Sequence, residues 1–219
     1  MGHVVRETSW CCIVINTTTG VVFLQERWQY TWLTQAGLPA WTIQEKRNFH
    51  NGADRAIWAA WSNRAKLRVT GASDFAKRMA GCDLTLNLDI RWVLSRPHWN
   101  VNVTKIPAGQ FATSSVQWAA RIITLDSEDT HLRTFVNGAR TPNTTQMPVA
   151  HEFGHAIGNS IAIGHEGDEY VAGKAHNADI RSIMNVGHGL RRRHFETIID
   201  ELRSEEHTSE LQSHHDLVC

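Results

Sequence analysis

His151-Glu152-Phe153-Gly154-His155-Ala156-Ile157-Gly158 is the stretch on which the reading of this chain turns. On an α-helix, residues four apart share a face, so His151 and His155 can aim imidazole nitrogens at one ion. Glu152 sits beside that face, within reach of a water next to the ion. Two neutral imidazoles and an oxygen ligand suit Zn2+, with a fourth position left open. Zinc there is a Lewis acid and Glu152 a candidate general base. The bland alternative is a core helix with two incidental histidines; buried Glu and His would then need other partners.

The flanks support a helix. Thr144 and Thr145 are N-cap candidates, and Pro148 is tolerated in a first turn. Val149, Phe153 and Ile157 form an i, i+4 apolar stripe that would bury against a core while the histidines face a cleft. Gly158 allows the left-handed turn that ends a helix.

The chain has 219 residues, enough for one well-cored domain. Its 22 basic and 22 acidic side chains balance, so no charge excess points to nucleic acid or an anionic membrane. No apolar run reaches the roughly 18 residues that a membrane span needs. Nine tryptophans are read as core filler, with some available to line a cleft. The start carries Glu7 and no long apolar region, so no secretory leader is expected. That leaves localisation open between the cytoplasm and export without a leader.

Residues 203–219 read as a translated sequencing adapter rather than as protein sequence, and are set aside from the fold. Removing them takes away one basic and four acidic residues, leaving the rest mildly basic. It also removes Cys219, His207, His214 and His215 as candidate ligands. Cys11, Cys12 and Cys82 remain; they lack Cys-x-x-Cys spacing and read as small buried residues, with a Cys82 disulfide to one of the pair as the alternative.

Residues 11–15 and 21–24 are β-prone around Thr17-Thr18-Thr19-Gly20, a candidate hairpin. Phe49, Ala53, Ile57 and Trp61 predict an amphipathic core-packing helix over 42–61. Leu84, Leu86, Leu88, Ile90, Trp92 and Leu94 alternate with polar residues, predicting a half-buried strand, and Trp99, Val101 and Val103 continue the period. Residues 116–125 read as another strand, able to offer an open edge to an extended peptide. The acid cluster Asp126-Ser127-Glu128-Asp129 lacks regular calcium-loop spacing and reads as a solvated loop. Arg192 to Leu202 reads as a closing helix with Phe195, Ile198 and Ile199 inward.

Helix, strands, metal helix and then Ser182-Ile183-Met184-Asn185 together resemble the metzincin zinc metallopeptidases, over about residues 42–202. The resemblance is closest to bacterial, snapalysin-like members, in which Asp is the third ligand. It implies an α+β fold: a twisted mixed sheet with an active-site helix, a Met-turn and a C-terminal helix. Residues 1–40 then form an N-terminal extension with a candidate hairpin, and residues 41–202 the peptidase domain. Met184 would lie beneath the metal as an apolar floor. The usual third-ligand position is here Ile161, which cannot bind zinc, so residues 160–167 read as an insertion. The resemblance then assigns Asp168 as third ligand, with His165 and Glu169 as rivals. Tyr170 is a candidate oxyanion donor, or else an amphipathic wall residue. His176, His188 and the Arg191-Arg192-Arg193 run read as surface groups by default.

Two functions follow. One is a zinc endopeptidase acting on peptide or protein substrates by a water nucleophile. The other is an inactive metzincin-like module, a structural or binding part of a secreted assembly.

Overall fold

Leu84, Leu86, Leu88 and Ile90 are buried along β5 (Asp83–Trp92), as their alternation predicts. The computed structural model describes residues 3–70, 74–136 and 143–203. Within them β5 joins β1 (His3–Glu7), β2 (Cys12–Asn16), β3 (Val21–Thr34), β4 (Ala65–Arg68), β6 (Trp99–Lys105), β7 (Ser115–Gln117) and β8 (Ile122–Asp126) in one mixed sheet. β3 pairs in parallel with β5 over Val21 to Trp28 and with β6 over Trp28 to Thr34. β6 pairs in parallel with β8, whereas β1–β2, β2–β3, β4–β5 and β7–β8 are antiparallel. A separate ribbon pairs β9 (Arg133–Phe135) with β10 (Thr144–Gln146).

Among the described residues four helices accompany the sheet: α1 (Ile43–Trp61), the short α2 (Asp74–Arg78), α3 (Pro148–Ala156) and α4 (Glu196–Arg203). The fold class is therefore α+β with a mixed sheet. α1 starts at a capping box, in which Glu45 N donates to Thr42 Oγ1 at 3.2 Å and Thr42 N to Glu45 Oε2 at 2.7 Å. Its Phe49, Ala53, Ile57 and Trp61 are buried, as their spacing predicts. Val149, Phe153 and Ile157 are fully buried too, which turns the opposite side of α3 towards the cleft. Trp61 Nε1 donates to Ala150 O at 2.9 Å, fixing α1 against α3. Phe195, at the end of a 3-10 turn over Arg192–Phe195, and Ile198 and Ile199 of α4 are buried, so the closing helix expected from Arg192 begins as a 3-10 turn.

Several expectations need correction. Residues 1–40 supply β1 to β3, and β3 lies inside the sheet rather than in an extension. Residues 116–125 are two strands, because the chain reverses before Arg121, which has a positive φ of 55°. Thr144 and Thr145 belong to β10; the residue capping α3 is Met147, with no side-chain bond. β5 ends at Trp92, and Leu94 is 85% exposed. Cys11, Cys12 and Cys82 are free thiols, as expected, but only Cys11 is buried and Cys82 is exposed. The expectation about residues 203–219 falls, from 204 onwards, outside the described residues.

Candidate metal centre

α3 presents His151 and His155 on one face, and the loop after it brings Asp168 to meet them. The two Nε2 atoms are 3.2 Å apart, and Asp168 Oδ1 is 3.1 Å from each. His151 Nδ1 donates to Ile183 O at 2.7 Å and His155 Nδ1 to Asn159 O at 2.6 Å. A carbonyl can only accept, so both Nδ1 atoms carry a hydrogen, and in the neutral rings that a metal requires each Nε2 presents a lone pair to the triangle. Two lone pairs and a carboxylate oxygen facing one another repel unless a positive charge lies among them. Tetrahedral zinc with bonds of about 2.0–2.1 Å spaces its donors about 3.3 Å apart, close to the edges of this triangle. The donor set therefore fits zinc, with backbone carbonyls orienting both rings.

The electrostatics of the protein groups agree. Burial opposes charge on His155, but the Asp168 hydrogen bond and the Glu152 charge outweigh it and hold its proton up to about pH 9. Burial likewise opposes charge on Asp168, yet the two histidines keep its carboxyl well below the usual range. The triangle draws positive charge to itself.

Glu152 is buried beside it, and its Oε2 has no hydrogen-bond partner. Burial pushes its pKa up, against the pull of the two histidines. A carboxylate desolvated without a partner is poised to take a proton. Tyr170 stacks on His151 with ring centroids 6.2 Å apart, half exposed. Burial and the Asp168 charge push its phenol up, so it keeps its proton and remains a donor.

The other candidates lie elsewhere. His165 Nε2 bonds Thr197 Oγ1 at 3.0 Å, turned away from the triangle. Glu169 is 2% exposed and held by Arg193 through two bonds of 2.7 and 2.9 Å. His176 bonds Glu166, and His188 bonds Thr145 Oγ1 at 2.9 Å. The Arg191-Arg192-Arg193 run is not simply a solvated patch: Arg191 and Arg193 both bind Asp179. Ile161 is 71% exposed in a 3-10 turn, and the insertion reaches Asp168 by way of a left-handed Gly164. Met184 is buried with its sulfur against Gly154; a Cβ there would overlap Met184 Sδ and come within 3.0 Å of Trp61 Cζ2.

Sequence reasoning missed the supports. Gln146 Nε2 donates to Ile183 O at 2.9 Å and Asn185 O at 2.8 Å, bracing the segment that orients His151. Asp126 and Asp129, expected in a solvated loop, are each 1% exposed. Asp126 accepts from Ala112 N and Glu128 N, and Asp129 from Ser114 Oγ and Asp126 N. They anchor the strand that walls the cleft. Only the crowding of acids in 126–129 hinted at this, because backbone donors leave no mark in a sequence.

Two cavities flank Glu152. One, about 360 Å³, is bounded by Val116, His155, Ile161 and Asp168. The other, about 440 Å³, is bounded by Phe111, Arg133, Phe135 and His151. β7 is the outermost strand on that side and pairs with β8 alone among the described strands.

Comparison of the chain with protein-family models, curated proteins and solved structures finds no match.

Proposed function

We propose that this chain is a zinc-dependent metallopeptidase of metzincin type, hydrolysing peptide bonds with Glu152 as general base. The observation that carries the reading is the His151, His155 and Asp168 triangle, edges 3.1–3.2 Å, with the unpartnered Glu152 Oε2 beside it. Zinc held by these three residues supplies a Lewis acid that polarises a carbonyl and lowers the pKa of a water to about 7.

The chain's own groups supply the rest. Glu152 Oε2 receives the proton of the attacking water and returns it to the departing amine, so no covalent intermediate is needed. Tyr170, kept protonated, is the donor available to the carbonyl oxygen as negative charge develops there. The free edge of β7 can pair with an extended substrate backbone, and cavities on both sides of Glu152 leave room for side chains flanking the scissile bond. Met184, packed against Gly154 of the metal helix, is what supports the metzincin form of the reading.

The test is metal analysis of the purified protein together with cleavage of a general protein substrate, with Glu152→Ala as control. The expected result is one zinc per chain and a turnover that falls about 10²- to 10⁴-fold in the variant. Full zinc occupancy without Glu152-dependent cleavage would favour the binding module over the enzyme. A chain that takes up no zinc would remove both.

A further inference from the structure

Arg133 begins β9 at the wall of the 440 Å³ cavity, on the His151 side of Glu152. Its guanidinium carbon lies 3.4 Å from the Phe111 ring centroid and 5.1 Å from that of Phe135. Contact of the guanidinium face with an aromatic ring leaves its in-plane N–H donors free. Among the described residues none forms a hydrogen bond or ion pair with that guanidinium. Arg191 and Arg193, similarly half-buried, are instead bonded to carboxylates.

We propose that this cavity takes a substrate side chain carrying a carboxylate, and that Arg133 determines the specificity by receiving it. The inference rests on the peptidase reading and adds the substrate class. Phe111, Phe135, Pro148 and Val186 form the apolar part of the wall; Glu152 and His151 line the side shared with the metal triangle, and Arg133 is the one Lys or Arg among the lining residues. A carboxylate entering it loses water, and the charge-assisted, bidentate donors of Arg133 compensate that loss where the uncharged Thr113, Ser114 and Gln146 cannot match them. A lysine or arginine side chain reaching Arg133 would meet like charge there. A leucine would cover the guanidinium and leave its donors unsatisfied, and such a mismatch discriminates more sharply than a missing methylene. Held against the Phe111 ring with Phe135 nearby, the guanidinium is already ordered before substrate arrives, so less freedom is lost on binding.

The test uses the zinc-loaded full chain on a peptide library, with cleavage sites read by mass spectrometry. It continues with a matched peptide pair differing only in Glu or Lys at the selected position. Asp and Glu are expected to be enriched at one position beside the scissile bond. Arg133→Glu should lower the Glu-to-Lys ratio of kcat/KM by at least roughly 10- to 100-fold, the scale of one charge-assisted contact, and Arg133→Gln should give an intermediate ratio. A ratio taken within one variant is insensitive to the amount of folded enzyme. Glu152-dependent cleavage without acidic enrichment, or with a ratio unchanged in both variants, overturns this inference and leaves the peptidase reading standing. Absence of any Glu152-dependent cleavage overturns that reading, and the specificity with it.

Discussion

Glu169 N donates to Met184 O at 2.8 Å, tying the loop that carries Asp168 to the buried segment beneath the metal helix. The neighbouring side chain locks the same junction, because Glu169 binds Arg193 twice and also contacts His194. Asp168 is thus placed by its successor: a residue held by its own ion pair fixes the third corner of the triangle. Glu169→Gln keeps the size but loses the charge, and with it the two-pronged bond to Arg193. Arg193 retains Asp179, so the cost should be about 3 kcal/mol, the low end for breaking a buried pair. Urea unfolding measures it, and a loss below about 1 kcal/mol would mean that the pair does not hold the loop.

Asp168→Ala removes one corner of the donor triangle, and zinc affinity should fall by more than the roughly 10- to 100-fold typical of losing an outer supporting contact. Competition against a chromophoric chelator reads this directly. His165→Ala is the matched control, since His165 is engaged with Thr197, and affinity should stay within about twofold. The reverse ranking would make His165 the ligand.

The parts legible in the sequence were those with a repeating physical cause. Alternation gave β5 and β6, and i, i+4 spacing gave α1, the buried stripe of α3 and the inward face of α4. Of the long β3 only the start, residues 21–24, was legible, because Glu26 occupies a fully buried position where the period demands an apolar residue. Its carboxyl accepts from Trp28 Nε1 at 2.8 Å, and burial raises its pKa well above the usual value. A buried acid reads in sequence as a break in the strand. Asp168 was reached through its motif, whereas Arg133 gave no signal. Its role depends on Phe111 and Phe135, whose approach only the fold creates.

Gly154→Ala tests the contact under the metal helix. Alanine favours a helix over glycine by about 1 kcal/mol, so an exposed site would be stabilised. Here the added carbon overlaps Met184 Sδ and crowds Trp61, and overpacking of this kind costs about 1–3 kcal/mol. Net destabilisation is expected, together with weaker zinc binding as His155 shifts. Met184→Ala in the same chain should recover part of the loss; additive effects in that double-mutant cycle would mean the two residues do not press on each other.

Asp129 gives the protein a pH dependence of unusual sign. Burial, followed by the charge of Asp126, raises its pKa to about 7, although Ser114 and Asp126 N donate to it. In an unfolded chain the same carboxyl titrates near about 4. Between those values the native state keeps a proton that the unfolded state has lost, so stability falls as pH rises through the window. Below about pH 4 both states are protonated and above about pH 7 neither is, so the slope vanishes on both sides. The full drop is on the order of 4 kcal/mol. Asparagine retains an oxygen for both donors and cannot ionise. Asp129→Asn should therefore differ little from the native chain near pH 4 and become progressively more stable relative to it towards pH 8. Urea unfolding of both proteins at each pH cancels the titrations they share, zinc binding included. A difference that stays constant across the range would mean that Asp129 is already ionised in the folded chain at pH 5.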